Sequence, residues 1–180
     1  MKIYNKNNIK EMFKIIDLNS VFVVPTDTIY GISGAISNPK NKNRINKIKN
    51  RSFFKQLIIL VANLKQAEQI CSISLKAKKM LLSSKPTTVL CPKNENGKLF
   101  KNYLSSNDLI GIRISKNKLI QKIIKKIGPI YSTSANISET NYQFSLTSFK
   151  KLNVDFICFL EQDQNSASYI FNSIKNIFER

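Results

Sequence analysis

Four polar clusters in the sequence have side chains suited to binding an anionic ligand, and each lies at or beside the end of an apolar run. They are residues 25–28, residues 49–55, residues 87–88 together with Arg113, and residues 132–136. Their hydroxyls, amides and cations are donors to carboxylate and phosphate oxygens. Because ligand sites of open α/β sheets form where loops from separate strands meet, the clusters predict one site at the strand ends.

The sequence has no histidine, which restricts its chemistry. Without imidazole there is no Ser-His-Asp or Cys-His catalysis, no His-ligated metal and no His general base near neutral pH. The three cysteines are far apart and predict neither a disulfide framework nor a zinc site. We therefore expect no metal-binding residues, and catalysis that depends on charge, positioning, carboxylates, lysines or hydroxyls.

Lys49 and Arg51 are candidates for binding phosphate. Residues two positions apart point about 200° apart on a helix but to the same side of an extended segment. If the helix predicted to begin after Pro39 ends near Lys49, both cations face one ligand, and with Lys55 they would clamp a polyphosphate. The alternative is that the basic run is a solvated face of the molecule.

Residues 132–136 offer hydroxyls, an amide and backbone N–H groups in a predicted tight loop, which suits phosphate or ribose oxygens. The alternative is an ordinary helix N-cap or Ser/Thr turn, and a turn cap is likewise the alternative for residues 26–28. Arg113 differs because it interrupts an apolar strand and has no acidic neighbour in sequence. A buried guanidinium needs a carboxylate or phosphate partner, either from a ligand or from elsewhere in the fold.

Apolar periodicity predicts the elements that position these clusters. Continuous apolar runs predict buried strands, and i, i+3, i+4 spacing predicts amphipathic helices. The predicted strands are 21–24, 57–62, 87–91, 109–114, 156–160, 168–171 and 177–180, and the predicted helices are 9–16, a segment from 39, 65–83, 119–127 and 145–152, with a loop at 92–107. Their alternation predicts a single α/β domain over residues 1–180, of mixed α+β type, with an open twisted mixed sheet flanked by helices.

The formal charge of +18, from 29 basic and 11 acidic residues, indicates anionic partners such as nucleic acid or nucleotide. A compositional bias is the competing cause, since Lys, Asn and Ile together occupy 72 of the 180 positions. The N-terminal residues have no apolar segment typical of a signal peptide, and no run approaches 18 apolar residues. We therefore predict a cytoplasmic protein that does not use a membrane.

In their order along the chain, the clusters resemble the motifs of the YrdC-like family, the threonylcarbamoyl-AMP synthases. The matching segments are PTDTIYG at 25–31, KNR at 49–51, LIILV at 57–61, PTTVL at 86–90, GIR at 111–113 and STSANIS at 132–138, with a fainter match, SYI, at 168–170. The resemblance implies the YrdC-like fold. It also implies a reaction in which L-threonine, bicarbonate or CO2, and ATP give L-threonylcarbamoyladenylate and pyrophosphate.

The implied product is consumed by a separate tRNA-modifying threonylcarbamoyl transferase complex, which forms N6-threonylcarbamoyladenosine at position 37 of tRNAs that read A-starting codons. The implied chemistry also agrees with the missing histidine. The threonine amine captures CO2 as a carbamate, and a carbamate oxygen attacks the α-phosphorus of ATP while pyrophosphate leaves. This step requires alignment, and stabilisation of phosphoryl charge by cations and by Mg²⁺ bound with ATP, but no covalent enzyme nucleophile.

The resemblance implies a role for each candidate residue. Lys49 and Arg51 are the implied catalytic residues, which bind the triphosphate, and Arg113 is the implied partner of the threonine carboxylate. Thr28 and Tyr30 complete the implied substrate site. The implied nucleotide contacts are Lys49, Arg51, Thr88, Ser132, Ser134 and Asn136. For Asp27 the implied ligand is an amine or a metal.

Three glycine positions of the family pattern carry other residues. The usual Pro-Gly before Pro86 is Ser84-Lys85, the Gly after the Ser-Ala-Asn-x-Ser segment is Glu139, and the glycine-rich stretch near 160–166 reads LEQDQNS. Because glycine alone adopts positive φ freely, we expect the loops around the nucleotide to differ from those of the family.

Two other functions stay open. An RNA-binding module on the same fold, with weak or no catalysis, would contact tRNA or double-stranded RNA through a basic face. Residues 113–126 support it with six basic side chains and no acid. A different enzyme on a related fold, such as a sugar-phosphate synthase, is the weaker alternative because the acidic metal-binding clusters expected of it are absent from the sequence.

Overall fold

The computed structural model describes residues 1–52, 57–94, 109–160 and 166–179. Within these residues the strands are β1 (Lys2–Tyr4), β2 (Val21–Val24), β3 (Gly31–Ala35), β4 (Ile58–Val61), β5 (Thr87–Pro92), β6 (Leu109–Ile114), β7 (Ile130–Ser134), β8 (Phe156–Cys158), β9 (Tyr169–Asn172) and β10 (Ile177–Phe178). They form one sheet in the order β1-β8-β2-β3-β7-β4-β6-β5-β9-β10. Four neighbouring pairs are parallel and five are antiparallel, so the predicted mixed sheet is confirmed.

Six helices lie between the strands in the described residues: α1 (Ile9–Ile15), α2 (Pro39–Ile48), α3 (Leu64–Ile70), α4 (Leu75–Leu82), α5 (Lys118–Ile127) and α6 (Leu146–Lys150). Five of them begin after an Asn or Ser whose side chain accepts a hydrogen bond from an N–H of the first turn. These N-caps are Asn38, Asn63, Ser74, Asn117 and Ser145. Such caps satisfy N–H groups that have no partner within the helix.

The helices cover both faces of the sheet. Successive residues of a strand point to opposite faces, so each central strand contributes side chains to two cores. Val21 and Val23 belong to a core that includes buried residues of α2, α3, α4 and α6. Phe22 and Val24 belong to a second core, which includes α1 and the five buried residues of α5. The central strands are therefore apolar on both faces, as their continuous apolar runs predict.

Several predicted boundaries were wrong. Residues 132–134 were predicted as a loop but extend strand β7, and β1 and β3 were not predicted. The helix predicted over 65–83 is two helices, because Cys71 forms an antiparallel bridge with Lys93 and Ser74 caps a new helix. Most of the loop predicted at 92–107 lies outside the described residues.

Each helix in the described part of the chain is too short to span a membrane, as the longest have ten residues. A spanning helix needs about 20 predominantly apolar residues.

The α5 face of the core allows a direct test of stability. Ile120 is fully buried, and Ile→Ala at such a site removes buried methyl groups and leaves a cavity. We expect Ile120→Ala to lower the free energy of unfolding by about 2–5 kcal/mol in urea titrations. The matched control is Ile174→Ala at a residue that is 61% exposed, where we expect a change within about 0.5 kcal/mol. Equal effects of the two substitutions would contradict this packing.

Candidate active site

A cavity of about 310 Å³ opens on the sheet near one end of its central strands. It is lined by Thr26, Thr28, Ile29, Tyr30, Gly31, Ile58, Thr88, Arg113, Ser132, Thr133, Ser134, Tyr142, Ala167, Ser168 and Ile170. Its volume is at the lower end of the range for small-molecule sites, which starts at about 300 Å³. The lining combines hydroxyls and one guanidinium with aliphatic and aromatic side chains.

Strand register brings these residues together from distant parts of the sequence. In β3 and β7, Gly31 pairs with Ser134, and in β4 and β7, Ile58 pairs with Ser132. Arg113 pairs with Leu60 of β4. Thr88 pairs with Ile170, which adds the β5–β9 pair to the same wall.

Gly31 allows β3 and β7 to approach closely at the cavity. A Cβ atom at this position would lie 2.6 Å from Ser132 Oγ and 3.3 Å from the Thr133 carbonyl oxygen. A side chain there would therefore displace Ser132. The absence of a side chain at residue 31 keeps the Ser132 hydroxyl in the wall.

Arg113 is almost fully buried and forms an ion pair with Asp27, whose Oδ1 lies 3.2 Å from Arg113 Nη2. The same Nη2 lies 3.5 Å from Thr26 Oγ1. Burial lowers the pKa of the Arg113 guanidinium, and the negative charge of Asp27 opposes that shift. The carboxylate partner that Arg113 requires thus comes from the Pro25–Thr28 loop.

Hydroxyl groups form two clusters in the cavity wall. Thr26 Oγ1 donates to the Ile29 carbonyl at 2.7 Å and lies 3.0 Å from Thr28 Oγ1. Across the cavity, Thr88 Oγ1 and Ser168 Oγ are 2.9 Å apart. All four residues are buried, so hydrogen bonds between neighbouring hydroxyls replace those that water would supply.

Lys49 follows α2 and is only 3% exposed, which excludes the solvated-face alternative for this residue. Its Nζ lies 2.8 Å from the Ser134 carbonyl oxygen, 2.6 Å from the Asn136 carbonyl oxygen and 3.0 Å from Asn136 Oδ1. The Ser138 N–H donates in turn to the Lys49 carbonyl at 3.0 Å. The end of α2 is therefore bound to the segment that follows β7.

Arg51 is partly buried, and its Nε donates to Asn46 Oδ1 at 2.8 Å. Burial lowers the pKa of its guanidinium. Its Nη2 is buried without a hydrogen-bond partner among the described residues. The third cation of this predicted cluster, Lys55, lies outside them.

Tyr30 joins the cavity to an aromatic cluster. Its ring centroid lies 4.9 Å from that of Phe149 and 5.4 Å from that of Phe144. Its hydroxyl donates to the Leu160 carbonyl and accepts from the Leu160 N–H, while its own N–H donates to Tyr142 Oη at 3.0 Å. Burial raises the pKa of Tyr30 to about 12, so the hydroxyl stays protonated and keeps its donor role near neutral pH.

The structure brings six predicted site residues into the cavity wall: Thr28, Tyr30, Thr88, Arg113, Ser132 and Ser134. Lys49 and Asn136 contact Ser134 or each other but are not in the described lining, and neither is Arg51. The prediction omitted Thr26, Tyr142 and Ser168. For Ser168 the fainter SYI match was the available signal, whereas Tyr142 lies in a segment without a recognisable pattern.

Glu139 retains the backbone conformation that a glycine would adopt, with φ of +65°. The expectation that loss of this glycine alters the loop stays a prediction, while residue 139 itself lies in the left-handed region that glycine adopts freely. A side chain in the left-handed region costs about 1–2 kcal/mol. The glycine-poor segment 161–165 lies outside the described residues.

No group of three or more Cys, Asp or Glu side chains close enough to hold a metal occurs in the described residues. Asp27 pairs with Arg113 and so gives no support to the metal that the resemblance implied for it.

The family model Sua5/YciO/YrdC, described as "Telomere recombination", matches residues 14–174. The threonylcarbamoyl-AMP synthase of Blochmanniella pennsylvanica is 29% identical over 147 residues, which are 77% of this chain and 73% of that protein. The threonylcarbamoyl-AMP synthase of Photobacterium profundum is 27% identical over 139 residues, which are 73% of this chain and 74% of that protein.

Among solved structures, that of P. abyssi Sua5 complexed with L-threonine superposes with a TM-score of 0.81 and 21% identity. The superposition covers 97% of this chain and 55% of that one, so the chain spans about half the length of that protein. At this identity the likeness shows a shared fold.

The strained conformation of Glu139 gives a prediction. Because glycine adopts positive φ without steric cost, we expect Glu139→Gly to raise the free energy of unfolding by about 0.5–1 kcal/mol despite the greater flexibility of the unfolded chain. The matched control is Glu68→Gly within α3, which we expect to lower it by about 0.5–1 kcal/mol. Thermal denaturation followed by circular dichroism measures both, and a destabilised Glu139→Gly variant would contradict the assigned backbone.

Proposed function

The chain belongs to the Sua5/YciO/YrdC family, and from this premise we propose that it is a threonylcarbamoyl-AMP synthase, an ATP-consuming nucleotidyltransferase. Its proposed reaction converts L-threonine, bicarbonate or CO2, and ATP to L-threonylcarbamoyladenylate and pyrophosphate. The observation that carries the proposal is a buried arginine in the wall of a hydroxyl-lined cavity, with the Lys49–Ser134–Asn136 cluster beside it.

We also propose that residues 1–180 form one domain.

In this proposal Arg113 binds the carboxylate of threonine. A guanidinium in a water-poor cavity is suited to a planar carboxylate, which accepts two parallel hydrogen bonds from it. Thr28 supplies a nearby hydroxyl and Tyr30 a wall of the same cavity. The threonine-bound structure of P. abyssi Sua5, which has the same fold, supports an amino acid as ligand.

The nucleotide is proposed to bind at Ser132, Ser134 and Thr88, with Lys49, Arg51 and Asn136 on the triphosphate side. Lys49 already donates to oxygens of Ser134 and Asn136, so contact with a phosphate requires exchange of one of these bonds. Arg51 has a buried Nη2 without a partner among the described residues, which favours its direct contact with phosphate. The two cations would stabilise charge that develops on the phosphoryl oxygens.

Mg²⁺ is proposed to enter bound to ATP. The described residues include no cluster of carboxylates able to hold it, so phosphate oxygens and water would be its ligands. When bound, it would neutralise phosphate charge. The residues of the cavity have a different role from that of Mg²⁺, which is to bind and align the two substrates.

The proposed chemical step needs no histidine. The threonine ammonium loses one proton to water, and the free amine adds to CO2. The adduct loses a second proton to water to give a carbamate, and a carbamate oxygen attacks the α-phosphorus. The bond from this phosphorus to the bridging oxygen breaks, and the electron pair leaves with pyrophosphate. Holding the reacting atoms in line is worth about 7–11 kcal/mol in well-oriented reactions.

We further propose that the product passes to a tRNA-modifying threonylcarbamoyl transferase complex, for N6-threonylcarbamoyladenosine formation at position 37 of tRNA. A cytoplasmic location, where ATP and tRNA occur together, is part of the same proposal.

Activity measurements test the assignment directly. Purified protein with L-threonine, bicarbonate, Mg²⁺ and ATP is expected to release pyrophosphate and to form threonylcarbamoyladenylate, detected by mass spectrometry. Loss of one charge-assisted contact should reduce kcat/KM about ten- to a hundredfold in Arg113→Ala or Arg51→Ala. The control is Lys47→Ala, an exposed cation of α2, which should retain activity. Pyrophosphate release that does not depend on threonine would overturn the assignment.

A second candidate function, binding of RNA, is favoured by one observation. Helix α5 buries its isoleucine face and leaves four exposed lysines on its outer side: Lys118, Lys122, Lys125 and Lys126. Such a row of cations is suited to a phosphate backbone. The proposed contact with tRNA or double-stranded RNA would be electrostatic and independent of the cavity.

Salt dependence tests this candidate. Replacing Lys118, Lys122 and Lys125 by Ala should reduce the slope of log affinity against log salt by about one per lost phosphate contact. Arg113→Ala is the control, because it lies in the buried cavity and should leave tRNA binding unchanged. A flat salt dependence of the unmodified protein, measured by filter binding, would argue against the RNA contact.

A further inference from the structure

We propose that Asp27 is a positioning residue that orients Arg113 for the threonine carboxylate and thereby sets the affinity for threonine without contacting it. This inference rests on the proposed synthase function. Asp27 is 88 residues from its hydrogen-bond donor Ser115, and both lie at the same end of β6 as the cavity.

The carboxylate of Asp27 reaches one edge of the guanidinium. Its Oδ1 contacts Arg113 Nη2, whereas Arg113 Nε is buried with no hydrogen-bond partner in the described part of the chain. Arginine has five N–H donors in a rigid plane, and Nη2 contacts both Asp27 Oδ1 and Thr26 Oγ1. Asp27 thus contacts one nitrogen of the guanidinium of Arg113, a residue that lines the cavity.

Asp27 itself lies behind the cavity wall. Arg113 and the neighbouring Thr26 and Thr28 are among the lining residues, but Asp27 is not. Its side chain is 9% exposed, and its Oδ2 is buried without a partner among the described residues. A carboxylate in this place acts on a ligand through Arg113.

A second Arg–Asp pair in the described residues shows the geometry of an ion pair that has no place in the cavity. Arg44 and Asp155 form two short contacts, of 2.7 and 2.6 Å, with both side chains about 40% exposed. The Arg113–Asp27 pair is buried, has one contact and leaves two polar atoms unsatisfied. Because a buried pair with unsatisfied atoms gains little stability after desolvation, its geometry is better explained by what it presents to the cavity.

The position of the Asp27 carboxylate is fixed by contacts to the turn that leads into α5. Ser115 Oγ donates to Asp27 Oδ1 at 3.4 Å, and Asn117 Nδ2 donates to the Thr26 carbonyl at 3.2 Å. Asn117 is also the N-cap of α5. The Asp27 carboxylate thus contacts the residue that precedes the cap of α5 on one side and the Arg113 guanidinium on the other.

Two opposing effects determine what loss of Asp27 does. Removing its negative charge leaves Arg113 a stronger attractor for a carboxylate, but it also frees the guanidinium to turn away from the bidentate geometry. Bidentate recognition of a carboxylate depends on that orientation. Loss of orientation is expected to prevail, so the affinity for threonine should fall.

The test measures steady-state kinetics with each substrate varied in turn. In Asp27→Asn we expect KM for L-threonine to rise about ten- to a hundredfold, while KM for ATP stays within about twofold of the unmodified protein. Discrimination between L-threonine and its amide, measured as competition for the site, should decrease by a similar factor. The matched control is Asp155→Asn, which removes the exposed Arg–Asp pair and should leave both KM values unchanged.

Two further variants separate orientation from charge and from folding. In Asp27→Glu the charge is kept but displaced, and we expect a partial rise in threonine KM. In the Arg113→Ala background, Asp27→Asn should add no further effect on threonine KM. A threonine KM in Asp27→Asn that is unchanged or lower, an Asp27→Glu variant equal to the unmodified protein, or additive effects would each overturn the inference.

Failure of the proposed synthase function can be distinguished from failure of the role proposed for Asp27. If the unmodified protein forms no adenylate, the synthase assignment fails, and calorimetric binding of L-threonine then decides the role of Asp27 alone. Threonine binding weakened at least tenfold in Asp27→Asn would support it. Equal binding, or no binding by the unmodified protein, would overturn it.

Discussion

The buried ammonium of Lys49 is the interaction on which the arrangement of the site depends. It binds oxygens of Ser134 and Asn136 within 2.6–3.3 Å, and so fixes the chain where it leaves β7. An ammonium without water needs such oxygens, because an unsolvated charge costs several kcal/mol. The Lys49 ammonium therefore links the end of α2 to the last residues of β7, which are part of the cavity wall. A displacement of any of them breaks hydrogen bonds to a buried charge.

The strands that could be predicted are those covered on both faces, because such strands are continuously apolar in sequence. Runs such as residues 21–24 and 57–62 are apolar because both faces of those strands are covered, and the structure confirms strands there. Strand β3 has the sequence GISGA, in which Gly31 allows close approach to β7 and Gly34 allows close approach to Ser20 and Asn41, so it lacks a continuous apolar pattern. Residues 132–134 are polar because they face the cavity, and so they resemble a loop in sequence while they pair as a strand. The polar composition of these cavity-lining residues therefore hides the strand pattern in the sequence.

The candidate residues were predicted from the resemblance more than from their own spacing. Residue types alone favoured a turn or cap for residues 26–28 and 132–136 over a ligand site, since Ser, Thr and Asn serve both purposes. The partner of Arg113 could not be identified in the same way, because Asp27 precedes it by 86 positions and the two meet only through the order of strands β2 to β6. Tyr142 enters the cavity from a segment without regular structure, for which no periodicity exists to detect.

The contact between residue 31 and Ser132 also limits how the two positions can vary among related sequences. A methyl group at residue 31 fits only if the Ser132 hydroxyl moves from its present position in the cavity wall. Each position therefore restricts the other, although they are 101 positions apart in the sequence. While the serine hydroxyl keeps its place at 132, a side chain at 31 is disfavoured, so we expect the glycine and the serine to be inherited as a pair.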